Sequence, residues 1–119
     1  MACLLLIDDE PSILEMLEIV LRKEGFSDIL LAHTGEEGIH LARVGKPDLV
    51  ILDVMLPDLD GFEVCRRLRS FTTVPVLFLT ARSNDLDKLM GLGIGGDDYI
   101  TKPFNPLEVA ARVKAQLRR

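Results

Sequence analysis

The chain has little of what several large classes of protein depend on. It holds only two cysteines and two histidines. Cys3 and Cys65 are too few for a disulfide scaffold and lack metal-ligand spacing, so both read as reduced thiols in or near a core. His33 and His40 stand too far apart, with no acidic partner indicated, to argue for a metal or acid–base role. No apolar run approaches the roughly 20 residues needed to span a bilayer. The apolar start is too short for a signal peptide and follows no basic segment, so a cytoplasmic location without membrane partners is the expectation. Bases are outnumbered by acids, 14 to 19, for a net charge of -5. No basic stripe runs through the sequence, which disfavours direct nucleic-acid binding by this segment.

What is present reads as one soluble domain. With 48% hydrophobic and 28% charged residues among 119, the chain can bury one core but not two, and a single domain over residues 1–119 is expected. Five short apolar runs recur: CLLLI (3–7), DILLAH (28–33), DLVILD (48–53), VPVLFLT (74–80) and DYIT (98–101). Amphipathic stretches separate them. The first begins at Pro11 and Ser12, carries Ile13, Leu17, Val20 and Leu21 at helical spacing, and stops at Gly25. The second offers Thr34 as N-cap with Glu37 three residues on, then Ile39, Leu41 and Ala42 before Gly45 and Pro47. The third is capped by Asp60 and turns Phe62, Val64, Cys65 and Leu68 inward. Alternating strands and helices imply a parallel, doubly wound α/β sheet with helices on both faces and right-handed crossovers.

In open sheets of this kind ligands bind beyond the carboxyl ends of the strands. Strand one ends at Asp8 and Asp9, strand three at Asp53 and strand four at Thr80, while Lys102 and Pro103 follow strand five. Strand two contributes nothing comparable, which places it at the side of the sheet. Three carboxylates on one rim repel one another unless a cation joins them, and magnesium, which takes oxygen ligands and keeps several waters, suits the set. Asp9 and Asp53 read as direct ligands and Asp8 as one acting through water. Lys102 and Thr80 add an ammonium and a hydroxyl, completing a site for phosphoryl transfer to an aspartate, with Asp53 as nucleophile. Glu10 reads as a charge favoured by the dipole of the first helix, and Asp58 and Asp60, in LPDLDG (56–61), as structural acids of a turn and cap.

The segments IDDE, DLVILDVMLPDLDGFEVCRRLR, VPVLFLTA and GGDDYITKPF, in this order and at these intervals, resemble the receiver domains of two-component response regulators over essentially the whole chain. The resemblance implies a flavodoxin-like (CheY-like) sheet of order 2-1-3-4-5 and a phosphoacceptor that catalyses only its own phosphorylation and dephosphorylation. It implies Asp53 as the residue phosphorylated by a sensor histidine kinase, and Asp8, Asp9, Asp53 and the Met55 carbonyl as holding Mg2+. It also implies Thr80 and Lys102 as phosphate-contacting groups, Thr80 and Tyr99 as a switch, and a cis peptide between Lys102 and Pro103.

Residues 88–119 resemble the OmpR/PhoB winged-helix subfamily, whose receivers dimerise through the fourth helix, fifth strand and fifth helix. Lys88, Leu92, Asp97, Asp98, Glu108, Ala111, Arg112 and Arg119 are the corresponding interface positions, with Lys88–Glu108 and Asp98–Arg112 expected as pairs across a two-fold axis on phosphorylation. DNA would then be bound only through a missing C-terminal effector domain; the alternatives are a free-standing receiver and a phosphorylation-independent interaction module. A helix predicted from Asn84 carries Gly91, Gly93, Gly95 and Gly96, which weaken it and mark it as a moving part. Met55 and Arg82 flank the site as candidates for limiting attack by water. A phosphatase of the haloacid dehalogenase type would want a second acid where Met55 stands, and a flavin binder would want hydroxyls where strand one ends in acids.

Overall fold

In the computed structural model, which describes residues 2–81 and 98–118, the alternation becomes five parallel strands in the order β2-β1-β3-β4-β5. These are β1 Cys3–Ile7, β2 Asp28–Ala32, β3 Leu49–Asp53, β4 Val76–Thr80 and β5 Asp98–Thr101, with helices α1 Pro11–Lys23, α2 Gly35–Gly45, α3 Gly61–Leu68 and α4 Pro106–Leu117 between and after them. The three inner strands are buried at every position, as strands covered on both faces must be, whereas β2 and β5 are partly exposed at the two edges.

Side-chain alternation along each strand divides the core in two. Leu4, Leu6, Leu49, Ile51, Leu77 and Leu79 pack on one face against Leu14, Leu17 and Leu21 of α1 and Val109 and Val113 of α4. Leu5, Ile7, Val50, Leu52 and Phe78 pack on the other against Ile39 and Ala42 of α2 and Val64, Cys65 and Leu68 of α3. The stripe of α1 is thus centred one residue later than its spacing indicated: Leu14, Leu17 and Leu21 are buried, and Ile13 and Val20 flank them. Cys3 and Cys65 are buried free thiols, as expected.

Local chemistry sets the element ends. Gly25 stops α1 with φ of 102°, its N–H donating to the Arg22 carbonyl and that of Phe26 to Leu21, the paired bonds of a Schellman end. Thr34 and Asp60 cap α2 and α3 by accepting from the N–H of Glu37 and Glu63. At the end of α2 the left-handed residue is Lys46, with φ of 47°, not Gly45. Gly45 is needed for packing, since a Cβ there would lie 2.5 Å from Leu30 Cδ1. Strands three and four begin later than their apolar runs, because Asp48 spends its carboxylate on the Cys3 N–H at 2.7 Å and Pro75 has no N–H for a ladder. The helix predicted from Asn84, its glycines, Arg82, Lys88, Leu92, Asp97 and Arg119 lie outside the described residues. No helix among the described residues is long and apolar enough to cross a membrane.

Candidate functional site

Register brings the polar strand ends together. β1 and β3 pair through Ile7↔Leu52, so the next residues are Asp8 and Asp53; β3 and β4 pair through Asp53↔Leu79, next to Thr80; β4 and β5 pair through Thr80↔Thr101, next to Lys102. Residues 94 positions apart in the chain therefore meet at one rim. Asp8, Asp53 and Thr80 are buried and Asp9 is exposed. Carboxylate oxygens of Asp8, Asp9 and Asp53 all lie within 4.8 Å of one another. Lys102 reaches over them, its Nζ 3.2 Å from Asp53 Oδ2 and 3.6 Å from Asp8 Oδ2. Its backbone is tied to the same rim, the N–H donating to the Thr80 carbonyl at 2.6 Å, and the peptide to Pro103 is cis, as the resemblance implied.

The rim gathers more carboxylates than ammonium groups. Burial pushes the Asp8 carboxyl up to about 6, with the Asp53 charge adding to it and the Glu10 N–H and Lys102 opposing. Burial pulls the Lys102 ammonium down, but Asp53, Asp8 and Glu10 together hold it above its ordinary value. Asp8 Oδ1 accepts from the Glu10 N–H at 2.9 Å, whereas Asp8 Oδ2 is buried with no hydrogen-bond donor. An orphaned buried carboxylate oxygen facing two further carboxylates is what a hard divalent cation would satisfy, so the donor set fits magnesium.

The loop after β3 completes the rim. Met55 is half exposed; its N–H donates to Asp53 Oδ1 at 3.1 Å, and it bridges to Asp60 as an isolated antiparallel pair. Gly61 lets α3 approach the strand: its N–H donates to the Val54 carbonyl at 2.7 Å. A Cβ there would lie 2.7 Å from the Asp53 carbonyl oxygen and from Val54 Cα. Both are backbone atoms that no rotamer change can move away. Gly61→Ala is therefore expected to cost about 2 kcal/mol in urea unfolding and to displace the loop that carries Met55. A cleft of about 390 Å³ opens above the rim, bounded by Asp9, Asp53, Met55, Pro57, Ala81 and Lys102.

Two acids are more engaged than the sequence indicated. Glu10 lies before the first turn of α1 and makes no side-chain cap; its carboxylate instead comes within 3.9 Å of Lys102 Nζ. Asp58 accepts from the N–H groups of Gly35 and Glu36 at the start of α2, at 2.8 and 2.9 Å. Desolvation raises its pKa less than those bonds lower it, so its carboxyl is held below the ordinary value. No periodicity signals either contact, because each joins elements remote in sequence. His33 does have an acidic neighbour, Glu37 at 3.6 Å, but both are exposed, and His40 is exposed as well.

Two of the expected interface residues already pair within the chain. Arg112 Nη1 donates to both oxygens of Asp98, at 2.8 and 3.0 Å, within one chain, and Arg112 Nη2 lies 3.5 Å from Glu108. β5 and α4 are neighbours, so the long arginine reaches its partner without a second subunit. Tyr99 is 39% exposed on the same edge strand, and Ala111 is exposed on α4.

Residues 4–114, and with them the whole rim, match the model of the response regulator receiver domain. The chain belongs to that family. The receiver is 52% identical over 118 residues to the transcriptional regulatory protein YvrH of Bacillus subtilis, covering 99% of this chain and 50% of that protein. It is likewise 52% identical over 117 residues to the alkaline phosphatase synthesis transcriptional regulatory protein PhoP of the same organism, covering 98% and 48%. The receiver thus spans about half the length of these relatives. Among solved structures, a two-component response regulator from Clostridium difficile superposes with a TM-score of 0.92 at 37% identity, covering 100% of this chain and 98% of that one. DrrB of Thermotoga maritima, an OmpR/PhoB homologue, gives 0.86 at 38% identity, covering 100% of this chain and 54% of that one.

Proposed function

We propose that this receiver takes a phosphoryl group from a sensor histidine kinase onto Asp53 in a magnesium-dependent reaction. The observation that carries the reading is Asp53 itself: a buried carboxylate at the end of a central strand, 3.2 Å from the Lys102 ammonium and beside Asp8 and Asp9. In the proposed transfer an oxygen of Asp53 bonds to phosphorus as the bond from phosphorus to the donor imidazole breaks, and the departing imidazole takes up a proton. Lys102 neutralises charge on the equatorial oxygens, and the Thr80 hydroxyl is the neutral donor beside it. Asp8, Asp9, Asp53 and the Met55 carbonyl would hold magnesium, which when bound supplies charge neutralisation between the carboxylates and the incoming phosphoryl oxygens. The chain acts on no other substrate: it is a phosphoacceptor that catalyses its own modification and its reversal.

The signal then passes to the edge made by β5 and α4. New charge and acceptor oxygens on Asp53 draw the Thr80 hydroxyl, and Tyr99 turns inward as the second part of the switch. The similarity to DrrB and to two transcriptional regulators of twice the length supports an OmpR/PhoB-type output: phosphorylation promotes a homodimer, and DNA is bound by an effector domain joined to the receiver. Leu107, 62% exposed, and Ala111 lie four residues apart on one stripe of α4 and supply the apolar part of that face. Lys88, Leu92, Asp97, Asp98, Glu108, Arg112 and Arg119 would surround it. The Asp98–Arg112 pair orders the face within each subunit instead of bridging the dimer.

The reading is tested by incubating the chain with acetyl phosphate and magnesium. One phosphoryl group per chain is expected in the intact mass, lost when magnesium is chelated and mapped to Asp53 after borohydride trapping, together with a rise in mass by light scattering. Labelling that survives chelation, or that maps elsewhere, overturns it.

A further inference from the structure

The loop between β3 and α3 does two things at once. It begins at Asp53 and presents Met55, the one metal-site residue whose contribution is a backbone carbonyl. A backbone ligand cannot be aimed by a rotamer; its position is the position of the loop. Besides the Met55 N–H on Asp53 Oδ1, contacts at its neck and at its outer turn hold the loop. Its neck is closed by the Met55↔Asp60 bridge and by the Gly61 N–H on the Val54 carbonyl. Its outer turn is held from another element altogether: Asp58 spends both carboxylate oxygens on the N–H groups of Gly35 and Glu36, 23 and 22 residues away.

The seat for that clamp is built. A Cβ on Gly35 would lie 2.9 Å from Val64 Cγ2 and 3.1 Å from Leu59 Cβ, so the missing side chain is what lets the loop press against α2. Arg67 of α3 reaches Glu36 at 2.9 Å and ties the same corner a second time. Meanwhile α2 already has a cap of its own in Thr34. We infer that Asp58 is a positioning residue for the cation site, holding the loop on the N-terminus of α2 so that the Met55 carbonyl stands ready beside Asp53. The inference rests on the reading of Asp8, Asp9, Asp53 and Met55 as a magnesium site.

Magnesium titration by calorimetry on the full chain separates the possibilities. Asp58→Ala, which frees the loop, is expected to weaken magnesium binding about 10-fold, the scale of losing one support behind a ligand. Asp58→Asn, which keeps one acceptor oxygen, is expected to fall between that variant and wild type. Thr34→Ala removes the other side-chain cap of the same helix, whose hydroxyl accepts from Glu37, and leaves the Asp58 carboxylate in place, so it is expected to bind magnesium as wild type does while losing stability in urea. Unchanged affinity in Asp58→Ala overturns the inference, as does an equal loss in Thr34→Ala, which would trace the effect to the helix end alone. A wild-type chain that takes up no magnesium sinks the cation site itself, and is told apart from those outcomes by the first titration.

Discussion

Asp53→Ala is expected to take up no phosphoryl group from acetyl phosphate and magnesium, while wild type is expected to take up one. The expectation is all-or-none because the other carboxylates of the rim are committed differently. Asp8 is buried with one oxygen on the Glu10 N–H, and Asp9 is exposed. Only Asp53 has Lys102 at hydrogen-bond distance and opens to the cleft. Lys102→Ala tests the same geometry from the other side: labelling should remain on Asp53 but form on the order of 100-fold more slowly, the scale of deleting one charge-stabilising donor. Intact-mass kinetics on both variants check this. Labelling of Asp53→Ala at the wild-type rate, with the adduct on Asp8 or Asp9, defeats the assignment.

Asp8→Asn is expected to make the metal-free chain more stable and to remove most of the stabilisation that the proposed magnesium site would provide. In the wild type the Asp8 carboxyl is raised to about 6, first by burial and then by Asp53. A carboxyl raised on folding favours the protonated form in the folded chain, so its charge costs nothing below the unfolded value near 4. The cost grows as pH rises from about 4 to about 6 and is complete above that. The amide is neutral throughout and keeps the oxygen that accepts the Glu10 N–H. The variant's advantage should therefore be small at pH 4 and reach on the order of 2–3 kcal/mol by pH 7, from a shift of about two pH units at about 1.4 kcal/mol each. Magnesium should reverse the order, because the wild type would gain a cation where its anionic oxygen Asp8 Oδ2 has no donor, and the variant has given that charge up. Urea unfolding from pH 4 to 8, with chelator and with magnesium, measures both halves. A variant less stable than wild type in chelator at pH 7 refutes the account of the rim as under-neutralised.

Both expectations follow from residues that are legible in the sequence alone. Asp8, Asp9, Asp53, Thr80 and Lys102 each stand at the end of an apolar run, and a parallel sheet puts all such ends on one edge. The second row was not legible. Glu10 was set aside as a dipole charge, yet it adds to the field on Lys102. Asp98 and Arg112 already meet within one chain, a contact that their spacing does not signal. Spacing along the chain says nothing of where a long side chain lands on another element.

By itself the sequence determined the α/β alternation, the caps at Thr34 and Asp60, the stop at Gly25 and the acids of the rim, because each depends on neighbours a few residues away or on a pattern of period two or 3.6. Only the tertiary structure decided that Leu14 and not Ile13 centres the buried stripe of α1, that Gly45 and Gly61 are there for close approach, and that Asp58 holds the loop after β3 to α2. Those are questions of which surfaces meet. Surfaces meet through the register of the sheet and the packing of helices on it, over separations such as the 23 residues between Gly35 and Asp58 that no local periodicity spans.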